Sequence, residues 1–225
     1  MKGIMSKTDV EKIYDLLYEH FGPQGWWPGD SPFEIIVGAI LTQNTNWDNV
    51  KKAINNLEQA QLLNPHSIHK CPREKLAELI RPAGYFNIKT KRLKNFIDWF
   101  IENYQGQIEN FETVNTSILR EELLGVNGIG AETADSILLY ALNRPVFVID
   151  TYTARMAVRH QLLEYEIDYH TLQEFFQSNL PEDVQLFNEY HALIVRLGKD
   201  YCKPKPKCEK CPLNELPHQI AGFGN

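Results

Sequence analysis

Three glycines within six positions, Gly125, Gly128 and Gly130, separate two runs of helical periodicity, and the apolar stretch that follows ends in a single carboxylate. The first segment reads Leu124-Gly125-Val126-Asn127-Gly128-Ile129-Gly130-Ala131-Glu132-Thr133-Ala134-Asp135, and the second Pro145-Val146-Phe147-Val148-Ile149-Asp150-Thr151. Glycine lets the backbone turn sharply and approach a ligand without a Cβ clash. Free amides at the start of the next helix are a natural cradle for phosphate. Asp150 precedes a helical pattern, so on its local residues it reads as an N-cap, and with the hairpin upstream as a carboxylate fixed for chemistry.

Helix signals dominate elsewhere. Thr8-Asp9-Val10-Glu11 and Ser31-Pro32-Phe33-Glu34 have the form of capping boxes, the second with proline at the first helical position. Periodicity predicts further helices near 47–61, 73–80, 88–104, 117–124, 131–143, 151–160, 169–179 and 182–201. Val146 to Ile149 looks extended, but four apolar residues between Pro145 and Asp150 read as a buried connector and not as part of a sheet. The expected fold class is all-α.

At 225 residues the chain can bury one generous core or two small lobes. It shows neither a basic, apolar leader nor a run of about 18 apolar residues, so a cytoplasmic protein that does not engage the membrane is expected. The net charge of −6 does not by itself predict a nucleic-acid binder. Local charge differs: Lys89, Lys91, Arg92 and Lys94 crowd one segment, and Lys203, Lys205, Lys207 and Lys210 another. Each cluster reads as a solvated face, or, beside a phosphate-holding hairpin, as a contact to a phosphate backbone. Of the four cysteines, Cys71 reads as a half-buried structural thiol, while Cys202, Cys208 and Cys211 gather near the C-terminus.

The hairpin, connector and aspartate, in this order, resemble the endonuclease III (HhH-GPD) superfamily of DNA glycosylases. Within it the chain is similar to the bacterial 3-methyladenine DNA glycosylases that resemble endonuclease III. The likeness rests on Trp26-Trp27-Pro28, Gly38-Ala39-Ile40-Leu41-Thr42-Gln43-Asn44-Thr45, Arg81-Pro82-Ala83-Gly84-Tyr85-Phe86-Asn87, Lys89-Thr90-Lys91-Arg92-Leu93 and Gly130-Ala131-Glu132-Thr133-Ala134-Asp135, and spans residues 26–212. It implies two helical lobes with a DNA- and base-binding cleft between them. One lobe would be 31–142, with the hairpin at 124–131; the other would be 1–30 plus 143–225, with the aspartate and a cysteine loop at 200–218.

The resemblance also implies roles. Asp150 would stabilise the positive charge that grows on the deoxyribose as the base departs. Bifunctional members carry a lysine just after the hairpin; here that position is Glu132, and a carboxylate cannot form the Schiff base that strand cleavage needs. A monofunctional glycosylase follows, acting in base excision repair on alkylated purines, 3-methyladenine first. Trp26, Trp27, Pro28, Trp47 and Glu132 would line the base pocket. A cationic methylpurine between aromatic faces gains roughly 1 kcal/mol or more when desolvated. Gln43 would fill the space left by the flipped base, while Gly128, Gly130, Lys89, Lys91 and Arg92 would meet the backbone of double-stranded DNA. The partner is thus duplex DNA with a flipped damaged base; the protein would act as a monomer and hand its product to an abasic-site endonuclease. Two alternatives stay open: a glycosylase for an oxidised pyrimidine or mismatched thymine, and a lesion-binding protein that does not cut.

Cys202-x5-Cys208-x2-Cys211 resembles the superfamily's iron–sulfur loop, with the first interval one residue short and Pro217 at the fourth cysteine position. His218 stands beside it as a candidate ligand. The loop could hold a 4Fe-4S cluster, a Cys3His zinc, or reduced thiols.

Overall fold

In a computed structural model of the chain, residues 7–26, 29–163 and 167–220 are described. Secondary structure among them is all-α, without strands. The helices are α1 (Lys7–Phe21), α2 (Pro32–Leu41), α3 (Trp47–Gln59), α4 (Pro65–Lys70), α5 (Arg73–Leu79), α6 (Phe86–Tyr104), α7 (Thr116–Gly125), α8 (Ala131–Ser136), α9 (Thr151–Arg159), α10 (Tyr169–Asn179) and α11 (Val184–Asp200). The chain forms two compact units, Met1–Trp26 with Pro145–Asn225, and Trp27–Arg144.

The continuous unit is built around α2. Its sequence is apolar on every side, as a helix enclosed by neighbours must be, and Phe33, Ile35, Ile36, Val37, Ile40 and Leu41 are all buried. It packs against α3, α6 and α8. The Ser31 hydroxyl accepts from the Glu34 amide at 3.2 Å, as the capping box predicts. The Glu34 carboxylate reaches one residue further back than expected and accepts from the amide of Asp30 at 3.1 Å. Proline at the first helical position fits there because its missing N–H would be unpaired anyway.

The discontinuous unit joins α1 to α10 and α11, and α9 to α11. Residues 146–149 are buried and extended. Their backbone groups find partners on α10 in place of a neighbouring strand: the Phe147 amide donates to Gln177 Oε1 at 2.8 Å, and Gln173 Nε2 donates to the Phe147 carbonyl at 2.7 Å. Phe147 stacks on Phe176 with centroids 4.5 Å apart, which fixes the direction in which the connector delivers Asp150.

Three expectations need correction. The helix predicted over 131–143 is α8 followed by a π-helical turn at Ile137–Ala141, where the Leu142 amide donates to the Ile137 carbonyl. Helix α1 begins at Lys7, so Thr8 lies inside it and is not its cap. Helix α4 was not foreseen. Six residues are too few to show periodicity, yet Asn64 before Pro65 is a cap-and-start signal, and Asn64 Oδ1 accepts from the Ser67 amide at 2.8 Å.

Candidate active site

The connector ends at Asp150, the N-cap of α9. Its Oδ1 accepts from the Thr153 amide at 2.7 Å and the Thr153 hydroxyl at 2.9 Å. Both readings of this residue therefore meet in one side chain, because the cap consumes one carboxylate oxygen and leaves the second. That second oxygen, Oδ2, lies 3.6 Å from Nε2 of His191 on α11, and the two side chains are 12% and 6% exposed. Burial pushes the Asp150 carboxyl up, but His191 and the Thr153 donors outweigh it and hold the group below the ordinary carboxylate range. A carboxylate kept ionised in a site so shielded from water can act strongly on a nearby developing cation.

His191 is a residue that the sequence reading missed. One imidazole within an amphipathic helix gives no signal of its own. Its ring lies parallel to that of Trp26, with centroids 5.6 Å apart and planes 12° apart. Trp26, His191 and Asp150 thus form one chain of contacts within the discontinuous unit. Trp27 and Pro28 lie outside the described residues.

The glycine hairpin belongs to the other unit. Gly128 has φ +102°, and a Cβ built on it would stand 2.3 Å from Arg92 Cγ, so both conformation and space demand glycine. Gln43 is tied to this hairpin. Its Nε2 donates to the Gly128 carbonyl at 3.1 Å and to the Thr133 hydroxyl at 2.9 Å, while its Oε1 accepts from Arg92 Nη1. Gly130 is the exposed N-cap residue of α8. Lys91 is exposed and Arg92 half-buried.

Lys89 does not present itself to a phosphate. It is 1% exposed, and its Nζ donates to the carbonyls of Leu41 at 2.8 Å and Ala83 at 2.7 Å. Burial and the nearby Arg92 bring its pKa down to about 8. Lys94 is likewise buried, tying the carbonyls of Ile68, His69 and Cys71. Charge clustering in sequence could not separate these two from their neighbours, because helical period turns Lys89 and Lys94 inward and Lys91 outward.

Trp47, half-buried, lies against Gly38 of α2, where an added Cβ would meet its Cη2 at 3.0 Å. Glu132 is exposed in the first turn of α8. Trp47 and Glu132 thus lie in the continuous unit, whereas Trp26 and Asp150 lie in the other. Tyr85 carries a second signal the sequence did not give: φ is +44°, and the residue is 69% exposed at the start of α6.

Near the C-terminus, Cys202, Cys208, Cys211, His160 and His218 line one recess together with Arg159. The buried Arg159 donates from Nη1 to Cys202 Sγ at 3.3 Å, and its Nε has no hydrogen-bond partner among the described residues. Nδ1 of His160 donates to the Pro217 carbonyl at 3.1 Å, and Nδ1 of His218 to the Leu216 carbonyl at 2.9 Å. Each imidazole is then left with Nε2 as its lone-pair nitrogen. Among the described residues no three His, Cys, Asp or Glu side chains are gathered as the ligands of one metal ion. An iron–sulfur cluster carries its ligands around a larger anionic body, and three cysteines lining one recess with Arg159, whose Nη1 meets Cys202 Sγ, are the kind of donor set it takes. His160 is a second candidate for the fourth position, invisible in sequence because it lies far from the cysteine loop.

Comparison with known proteins agrees with this geometry. Residues 37–182 match the model of the HhH-GPD superfamily base excision DNA repair protein. A Methanocaldococcus jannaschii protein assigned as a DNA repair glycosylase is 49% identical over 208 residues, covering 92% of this chain and 94% of its own. Endonuclease III of Thermotoga maritima is 28% identical over 181 residues, 80% of this chain and 79% of its own. Among solved structures, the H. pylori 3-methyladenine DNA glycosylase bound to 1,N6-ethenoadenine superposes with a TM-score of 0.73 at 33% identity, covering 87% of this chain and 98% of that one. The endonuclease III of a non-covalent DNA complex shares the fold, with a TM-score of 0.82 at 22% identity over 96% of this chain and 97% of that one. The chain belongs to the HhH-GPD superfamily of base excision DNA repair glycosylases.

Proposed function

We propose that this glycosylase is monofunctional and hydrolyses alkylated purines, 3-methyladenine first, from double-stranded DNA. The observation that carries the reading is Asp150: a shielded carboxylate, held ionised, with Oδ1 locked in a cap and Oδ2 left to face the reaction. A purine alkylated at N3 already carries positive charge, which weakens its glycosidic bond. One fixed carboxylate can then suffice without a strong acid to protonate the leaving base. Trp26 supports the same substrate class, since its indole, stacked on His191, is an aromatic surface of the kind that attracts a cationic base. The likeness to the H. pylori enzyme adds to this.

The lyase activity of bifunctional relatives needs an amine at the position of Glu132, and none is there. On this reading Lys91, Arg92 and the hairpin glycines Gly128 and Gly130 meet the DNA backbone, and Gln43 leaves its hairpin contacts to fill the gap beside the flipped base. Cys202, Cys208 and Cys211, with His160 or His218, hold an iron–sulfur cluster whose part is to fold the loop carrying Lys203, Lys205, Lys207 and Lys210.

The test is chromatography of bases released from methylated duplex DNA. The expected product is free 3-methyladenine, with the strand left uncut. Release of thymine from a mismatch or of an oxidised pyrimidine instead would move the substrate class, and binding of damaged DNA without release from any substrate would overturn the hydrolytic reading.

A further inference from the structure

We propose that His191 is the positioning residue of Asp150: its Nε2 holds Oδ2, the carboxylate oxygen that the α9 cap leaves open, and so fixes the plane in which the charge meets the reacting sugar. The proposal rests on the reading of Asp150 as the catalytic carboxylate.

A carboxylate held by one oxygen can still rotate about its Cβ–Cγ bond. Thr153 pins Oδ1 with two donors, and His191, 3.6 Å from Oδ2, restrains the other end. The distance is longer than that of a hydrogen bond, a looseness common in active sites awaiting substrate. The imidazole is itself restrained, because α11 packs on α9 and the ring lies flat against Trp26. The same side chain therefore backs the aromatic wall and orients the carboxylate, which ties the placing of the base to the placing of the charge. A structural histidine would need only the stack, whereas this one also turns a ring nitrogen to the carboxylate.

Charged groups on α9 and α11 have partners of their own. From α9, Arg155 donates to the Cys202 carbonyl, and Arg159 to Cys202 Sγ and to the carbonyls of Lys203 and Pro204. On α11 itself, Glu189 accepts from the Gln24 amide at 2.6 Å. From α1, Tyr14 meets Tyr190 edge-on, and Asp15 acts on Tyr190. Asp150 lies 3.6 Å from the imidazole, through Oδ2 and Nε2.

Two variants separate positioning from packing. His191→Phe keeps an aromatic ring against Trp26 and removes the donor; His191→Gln keeps a donor and removes the ring. In single-turnover release from methylated DNA, the Phe variant should slow roughly 10- to 100-fold, as expected when a reacting group is misplaced, while its affinity for abasic-site DNA holds. The Gln variant should recover most of the rate. In the Phe variant the Asp150 carboxyl, followed by carbon-13 NMR, should titrate at higher pH than in wild type, and the acid limb of release should move with it. Wild-type rates in His191→Phe, or equal losses in both variants with the Asp150 titration unmoved, would overturn the proposal. If the wild-type protein released no methylpurine, the substrate reading would fall, and the NMR titration would still decide the His191 contact.

Discussion

The side chain of Gln43 donates to the backbone carbonyl of Gly128 at 3.1 Å, so the residue proposed to enter the duplex is, in the free protein, fastened to the hairpin proposed to hold its backbone. Arg92 completes the fastening and fills the space beside Gly128 that a side chain would need. Gly128→Ala must therefore displace Arg92 and adopt a strained φ, at a cost of about 1–3 kcal/mol. The melting temperature should fall by several degrees and affinity for abasic-site DNA should weaken. Unchanged melting and binding would show that the hairpin tolerates a side chain there.

Asp150→Asn should abolish base release, by about 100-fold or more, while binding to abasic-site DNA stays near wild type. The same variant carries a pH signature. Because the folded carboxyl titrates below its unfolded value, its contribution to stability is complete above the unfolded pKa and disappears as pH falls through the folded one. Urea midpoints measured across acid pH should thus fall less steeply in Asp150→Asn than in wild type. Parallel curves would place the group outside this linkage.

Borohydride added during reaction should trap no covalent protein–DNA complex, and product strands should remain whole until alkali is added, since Glu132 offers no amine. Efficient trapping would reveal that some other lysine attacks the sugar, and mass mapping of the adduct would identify it.

Asp135 is fully buried, and Arg120 grips it with two hydrogen bonds, Nε to Oδ1 at 2.7 Å and Nη2 to Oδ2 at 3.0 Å. Removing one partner strands the other's charge, so Arg120→Met should cost roughly 3–5 kcal/mol. Thermal unfolding of the variant checks this, and a loss below 1 kcal/mol would mean that water reaches the carboxylate.

Protein purified without oxygen should be brown, contain iron, and lose both colour and iron in Cys208→Ser. His160→Ala and His218→Ala then assign the fourth position, because only the ligand's loss should make the cluster labile. Colourless, iron-free protein with full release activity would leave Arg159 and the thiols as the loop's own support.

Much of this was legible in sequence, for identifiable reasons. The hairpin could be read because glycine at Gly128 answers a backbone need that no other residue meets, and the Asp150 cap because Asp before a helix start is a local signal. His191 was not legible: its meaning depends on Trp26 and Asp150, which reach it from distant parts of the chain. Lys89 was misjudged because charge clustering ignores helical phase, and a lysine stem turned inward can spend its ammonium on two carbonyls. His160 escaped for the reason His191 did, since the recess gathers residues from α9 and the C-terminal loop.

The chain leaves the first unit after Trp26 and re-enters it at Pro145. Contacts such as the Tyr190 hydroxyl on the Val10 carbonyl, 2.8 Å long, join residues 180 positions apart. During synthesis the hairpin-bearing unit emerges as an unbroken segment that can fold while the ribosome is still at work. The unit with Asp150 must wait for α11, which is made only after the whole of the other unit. A chain stopped before α11 would then hold the hairpin-bearing unit without the packing that sets the surroundings of Asp150, so the order of synthesis puts the candidate catalytic carboxylate in place after the hairpin.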